Sequence, residues 1–102
     1  MPLQSNNDVD LLTLYEKTKG DDSKCEQEIG RLSLQQAKCL LKQVIDVDVD
    51  NKQELEQLDT LRCRGQWKLG VYETFLLNQF QHVKYDYANI LRIVKNRILL
   101  GD

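Results

Sequence analysis

Residues 55–98 read LEQLDTLRCRGQWKLGVYETFLLNQFQHVKYDYANILRIVKNRI, and this stretch decides the fold. If it is helical, with residues about 100° apart, most of its apolar residues fall on a single arc of about 120°. The stripe consists of Leu55, Leu58, Leu61, Gly65, Leu69, Tyr72, Leu76, Phe80, Val83, Tyr87, Ile90, Leu91, Val94 and Ile98. A stripe of this period predicts helices that pack one face against a core.

The stripe does not show where one helix ends and the next begins. Either the chain is helical from about 51 to 83, or two helices meet with little irregular chain between them. Because a glycine inside a helix costs about 1 kcal/mol, we expect a break or kink at Gly65. A final helix is predicted over residues 86–99, with Asp86 as its cap.

Short helices are predicted before residue 50, each from apolar residues at helical spacing. The first is capped by Asn7 or Asp8 and stops by Gly20. The third begins at Ser33, because Ser33 and Gln36 have the sequence of a capping box. A further cap follows the acidic segment 46–50, formed either by the residue pair 50 and 53 or by the pair 51 and 54.

Composition points to the same fold class. The chain has 102 residues and one proline, at position 2, and leucine, glutamine, glutamate and lysine dominate it. These residues favour helix over strand. The sequence therefore predicts an all-α, single-domain bundle of about five helices over residues 8–102, with one or two long helices after residue 50 and a flexible N-terminal tail over residues 1–7.

The cysteines indicate a reducing, intracellular location. The chain has three cysteines, Cys25, Cys39 and Cys63, which is an odd number, and their spacing does not suit a disulfide framework. No segment is long and apolar enough for a membrane span, and the N-terminus lacks the pattern of a signal peptide. We expect a cytoplasmic or otherwise intracellular protein that does not enter a membrane.

Metal and cofactor sites are not expected. Three cysteines and His82 match the ligand count of a structural zinc site, but no two of them lie two to four residues apart. The run Asp46–Asn51 resembles the start of a calcium loop, yet the sixth position is Asn51 and the twelfth is Gln57. We predict three free thiols, an acidic connection between helices, and no cofactor.

Catalysis is not expected either. His82 is the only histidine, and no serine or cysteine motif accompanies it. The sequence has no nucleophile elbow, glycine-rich phosphate loop or metalloprotease motif. We predict that the protein is not an enzyme.

Charge divides the chain into two unequal parts. Residues 1–59 carry a net charge of −6 and residues 60–102 a net charge of +4. The second part also holds six of the seven aromatic residues, so it could form a basic surface for nucleic acid. The candidate phosphate-binding residues are Arg62, Arg64, Lys68, Lys84, Arg92, Lys95 and Arg97.

A second apolar face is predicted on a helix over residues 66–82. Trp67, Val71 and Phe75 are spaced by four residues and point away from the main stripe. Such a helix lies either at the centre of a bundle or at an interface. We predict a small protein-interaction module, a subunit, adaptor or regulator, that binds a protein partner or itself through this face. The alternative is a nucleic-acid-associated regulator.

Overall fold

A computed structural model describes residues 9–19 and 21–101. These residues form six α-helices and one 3₁₀ turn, and the predicted all-α bundle is confirmed. The predicted tail, residues 1–7, lies outside the described residues. The helices are α1 (Leu11–Thr18), α2 (Asp22–Gly30), α3 (Leu34–Val44), α4 (Lys52–Glu56), α5 (Val71–Gln79) and α6 (Gln81–Leu100), and the 3₁₀ turn is Arg64–Gln66.

Side-chain caps start the first four helices. The capping box of α3 is confirmed: Ser33 Oγ accepts from the Gln36 amide at 3.1 Å, and Gln36 Oε1 accepts from the Ser33 amide at 2.9 Å. Of the two caps considered for α4, the structure uses the pair Asn51 and Glu54. The cap predicted for α1 is wrong: Asp10 caps it, so the helix begins at Leu11.

The core is built around α6, which packs against each of the five other helices of the described chain. Apolar residues of α6 recur every three or four positions, so its whole length presents one continuous face to the other helices. The buried residues of α6 are Val83, Tyr87, Ala88, Ile90, Leu91, Val94 and Ile98. They meet the buried faces of α1 to α4.

The helix predicted from 51 to 83, whether continuous or kinked at Gly65, is wrong. Only α4, the 3₁₀ turn and α5 are helical in this range, and residues 57–63 and 67–70 run as turns and extended chain. Near and distant hydrogen bonds hold this segment in place: Asp59 Oδ1 accepts from the Leu61 amide at 3.1 Å, and the Thr60 hydroxyl donates to the distant Ala88 carbonyl at 3.0 Å.

A short antiparallel bridge also holds this segment out of a helix. Ile45 pairs with Trp67, the Asp46 amide donates to Gln66 O at 3.2 Å, and the Lys68 amide donates to Val44 O at 2.5 Å. Because the backbone groups of residues 66 and 68 bond to residues 46 and 44, they cannot bond within a helix. The bridge fixes Trp67 beside the end of α3.

The last helix begins five residues before its predicted start. It starts at Gln81 instead of residue 86, so Asp86 lies inside α6 and caps nothing. Residues 81–85 contain no proline or glycine, and Val83 is buried in the core, so helix continues back through them. The role of central helix, one interpretation of residues 66–82, belongs to α6.

The acidic connection between α3 and α4 is extended. Val47 and Val49 are buried while the three aspartates between and beside them are exposed, which is the alternation of an extended chain. Lys38 pairs with Asp50 at 3.0 Å across this connection. Among the described helices, none is both long and apolar enough to cross a membrane.

Candidate protein-interaction surface

Helix α5 is the least buried helix of the described chain. All nine of its residues are described, and none is buried. Val71 is 91% exposed, Tyr72 59% and Phe75 54%. In a helix these three positions adjoin one another, because residues three and four apart lie on the same face. We call Val71, Tyr72 and Phe75 the α5 face.

The exposed side of α5 is also free of charge. The residues that flank the α5 face are Thr74, Asn78 and Gln79, all neutral. The one acidic residue of the helix, Glu73, is half-buried on the other side. Its pKa is raised mainly by that burial, while a hydrogen bond from the Gly70 backbone lowers it and the nearby Asp10 raises it. A neutral, partly aromatic face matches the composition of protein interfaces, in which charged residues are depleted.

The structure brings together only part of the predicted binding set. Val71 and Phe75 lie on α5 as expected, and Tyr72 joins them. Trp67 precedes α5 and is half-buried in the extended segment bridged to Ile45. Its Nε1 atom is buried and has no hydrogen-bond partner among the described residues. Sequence reasoning placed Tyr72 in the core stripe, since it assumed a helix continuous with the core.

A cleft of about 400 Å³ lies between α5, the start of α6 and the extended segment before α5. Trp67, Leu69 and Leu77 give it an apolar wall, and Lys84 supplies a cation at its edge. Thr74 and Asn78, which flank the α5 face, also line the cleft. The cleft therefore adjoins the α5 face.

Three of the seven basic residues lie around one cleft, because Arg92 and Lys95 line it beside Asp59, the partner of Arg62. Arg62 pairs with Asp59 at 3.3 Å, and Lys68 pairs with Asp46 at 3.8 Å. On α6, Lys95 donates to the Leu58 carbonyl at 3.3 Å, and Arg92 donates to the side-chain oxygen of Asn89 one turn away.

Arg97 serves to hold the bundle together. It donates to the Leu32 carbonyl at 3.2 Å and to the Gly101 carbonyl at 3.1 Å, so it joins the end of α2 to the end of α6. Lys84 lines the cleft beside α5, and Arg64 lies on the 3₁₀ turn.

The histidine and the cysteines are not brought together. His82 is exposed in the first turn of α6, where its ring lies 5.6 Å from that of Phe80. Among the described residues, no group of three histidine, cysteine or acidic side chains is placed to hold a metal ion. Cys25 and Cys63 are buried and Cys39 is half-buried, and all three are free thiols.

Thiol reactivity should follow these environments. Burial, with Asp22 and Glu26 nearby, raises the pKa of Cys25 to about 11, and burial also raises the pKa of Cys63, whose thiol donates to Asp59 O. Because the thiolate is the reactive form, Cys39 should be the one thiol that a disulfide reagent labels quickly at pH 8. Cys39→Ser should remove that fast phase, and all three thiols should react after unfolding. Fast labelling of two or more thiols in the native protein would contradict these burials.

No family model, curated protein or solved structure matches this chain.

Proposed function

We propose that this protein is a small, non-catalytic interaction module, a subunit, adaptor or regulator, that binds a protein partner or a second copy through the α5 face. The observation that carries the proposal is that an apolar helix of a bundle leaves Val71, Tyr72 and Phe75 in solvent. Exposed apolar patches on small proteins mark interaction sites when their residues are contiguous. Aromatic residues in such patches contribute most of the binding energy at interfaces.

The rest of the fold supports this assignment. The core of the bundle is complete without the α5 face, since the buried apolar residues of α1 to α4 and α6 pack on one another. Covering Val71, Tyr72 and Phe75 is therefore not needed for folding. Their apolar surface remains available for a partner.

Nucleic-acid binding is the weaker proposal. It needs several cations free to meet phosphates on one surface. Arg62 and Lys68 are instead paired with carboxylates, and Lys95 and Arg97 bond to backbone carbonyls.

Photo-crosslinking at the α5 face tests the proposal. A photoreactive amino acid in place of Val71 should crosslink the protein to a partner or to a second copy in cells of its source. The same amino acid in place of Leu100 is the matched control, because Leu100 is also highly exposed but lies at the far end of α6. Equal crosslinking at both positions, or none at position 71, would refute the proposal.

Phe75→Glu should weaken the captured complex by at least about 2 kcal/mol, or roughly thirtyfold in Kd, because it places a charge in an apolar contact. Its melting temperature should stay close to that of the unmodified protein, since Phe75 is already half in solvent. Leu100→Glu should change neither quantity. The pair of measurements, Kd by sedimentation and melting by circular dichroism, separates a binding defect from unfolding.

A further inference from the structure

Helices α5 and α6 are separated by a single residue. Phe80 is extended, with φ −131° and ψ 113°, while Gln79 ends α5 and Gln81 begins α6. Phe80 offers no side-chain cap to α6, and neither proline nor glycine occurs between residues 71 and 100. The local sequence therefore contains no residue that requires the two helices to be separate.

The apolar pattern runs through the break without losing phase. In a straight helix over residues 71–100, Tyr72, Leu76 and Phe80 would continue the face that Val83 and Tyr87 present to the core. The observed bend is nonetheless definite. Phe80 has extended backbone angles, and α5 packs against α6, which a helix continuing straight into α6 could not do.

Backbone hydrogen bonding favours straightening. The last backbone bond of α5 runs from the Phe80 amide to Leu76 O, and the first backbone bond of α6 runs from the Lys84 amide to Phe80 O. The carbonyls of residues 77–79 and the amides of residues 81–83 therefore have no partner within their helices. A straight helix would join these groups as three further hydrogen bonds.

We propose that Phe80 is a hinge, and that opening it lets two copies of this chain exchange α6, each α6 inserting between α1 to α4 of the other copy. The exchanged core repeats every contact that α6 makes with α1 to α4 in the single chain. The two forms differ mainly at the hinge, where α5 gives up a packing in which none of its residues is fully buried and only Leu76 and Leu77 touch the core. Short connections of this kind favour exchange between identical chains.

The exchange does not depend on the proposed function. The exchange of α6 involves the inner surfaces of the bundle, whereas the proposed function involves the α5 face, Val71, Tyr72 and Phe75. A dimer formed through the α5 face would keep each α6 in its own chain. The two kinds of dimer are therefore distinguishable by which chain supplies α6.

Isotope mixing identifies the chain that supplies α6. Protein labelled with ¹³C and unlabelled protein are mixed at millimolar concentration, warmed close to the melting temperature and cooled, and the dimer is isolated by size exclusion with light scattering. Isotope-filtered spectra of this dimer should show contacts between α3 of one chain and α6 of the other. A dimer with these contacts only within each chain, or the absence of a dimer, would overturn the proposal.

Substitutions at the hinge provide a second measurement. Gln81→Pro suits the bent form, because proline is favoured at the first position of a helix and Phe80 is already extended. It opposes a straight helix, so the dimer association constant should fall at least about a hundredfold. The matched control Gln81→Ala should dimerise as the unmodified protein does, and Phe80→Ala should raise the dimer fraction severalfold. Equal dimerisation of the proline and alanine variants at position 81 would refute the hinge.

Discussion

Leu91→Ala is expected to lower the free energy of unfolding by about 2–5 kcal/mol. Leu91 is fully buried on α6, the helix that contacts every other helix of the described chain. Truncating it loses apolar contact and leaves a cavity where the surrounding helices converge. Small domains are stable by only about 5–15 kcal/mol, so this loss is a large part of the total.

Leu100→Ala is the matched control for Leu91→Ala. It makes the same chemical change on the same helix, but Leu100 is 83% exposed. Its effect should stay within about 0.5 kcal/mol. Urea unfolding followed by circular dichroism measures both variants, and similar midpoints for the two would contradict the central position of α6.

Tyr87 should show effects of opposite sign for two substitutions. Its side chain is fully buried and its ring meets that of Tyr15 edge to face at 5.3 Å, but its hydroxyl has no hydrogen-bond partner among the described residues. An unpartnered buried polar group costs about 1–3 kcal/mol. Tyr87→Phe removes the hydroxyl and keeps the ring, so it should raise the free energy of unfolding by an amount in that range.

Tyr87→Ala should instead lower the free energy of unfolding by about 3–5 kcal/mol, because it also removes the ring from the core. Thermal melting of the two variants beside the unmodified protein gives both signs in one experiment. A destabilising Tyr87→Phe would show that the hydroxyl is hydrogen-bonded in solution.

The sequence was most informative where helix starts carry their own signals. Ser33 with Gln36 and Asn51 with Glu54 define caps through side chains that reach only three residues along the chain. Interactions this local are visible in sequence because no other part of the fold is needed to make them.

The segment between α4 and α5 was predicted wrongly because distant contacts decide its structure. Trp67 pairs with Ile45, and Thr60 bonds to Ala88, across separations of more than 20 residues. Leu58, Leu61 and Leu69 have helical spacing although they do not lie in a helix. The apolar pattern gave no indication of the contacts with Ile45 and Ala88. Tertiary contacts overrode local preference here.

The candidate surface was predicted in part. Val71 and Phe75 were recognised because they fall off the main stripe, and that observation needs only a correct helical phase. Trp67 was grouped with them on the assumption of one helix over residues 66–82. Tyr72 was assigned to the core because its helical phase matches that of the main stripe. The bend at Phe80 turns α5 away from the line of α6 and leaves Tyr72 exposed.

The central position of α6 also sets the order in which the fold can form. The contacts of α6 with α1 and α2 close long loops: Asn89 bonds to Asp22, 67 residues away, and Arg97 bonds to Leu32, 65 residues away. The entropy of closing such loops is lost before the core contacts compensate for it. The capped helices α1 to α3 can form transiently and independently early in folding. Stable tertiary structure forms only when α6 docks against them. Folding should therefore be slower than in a bundle whose neighbours in space are neighbours in sequence.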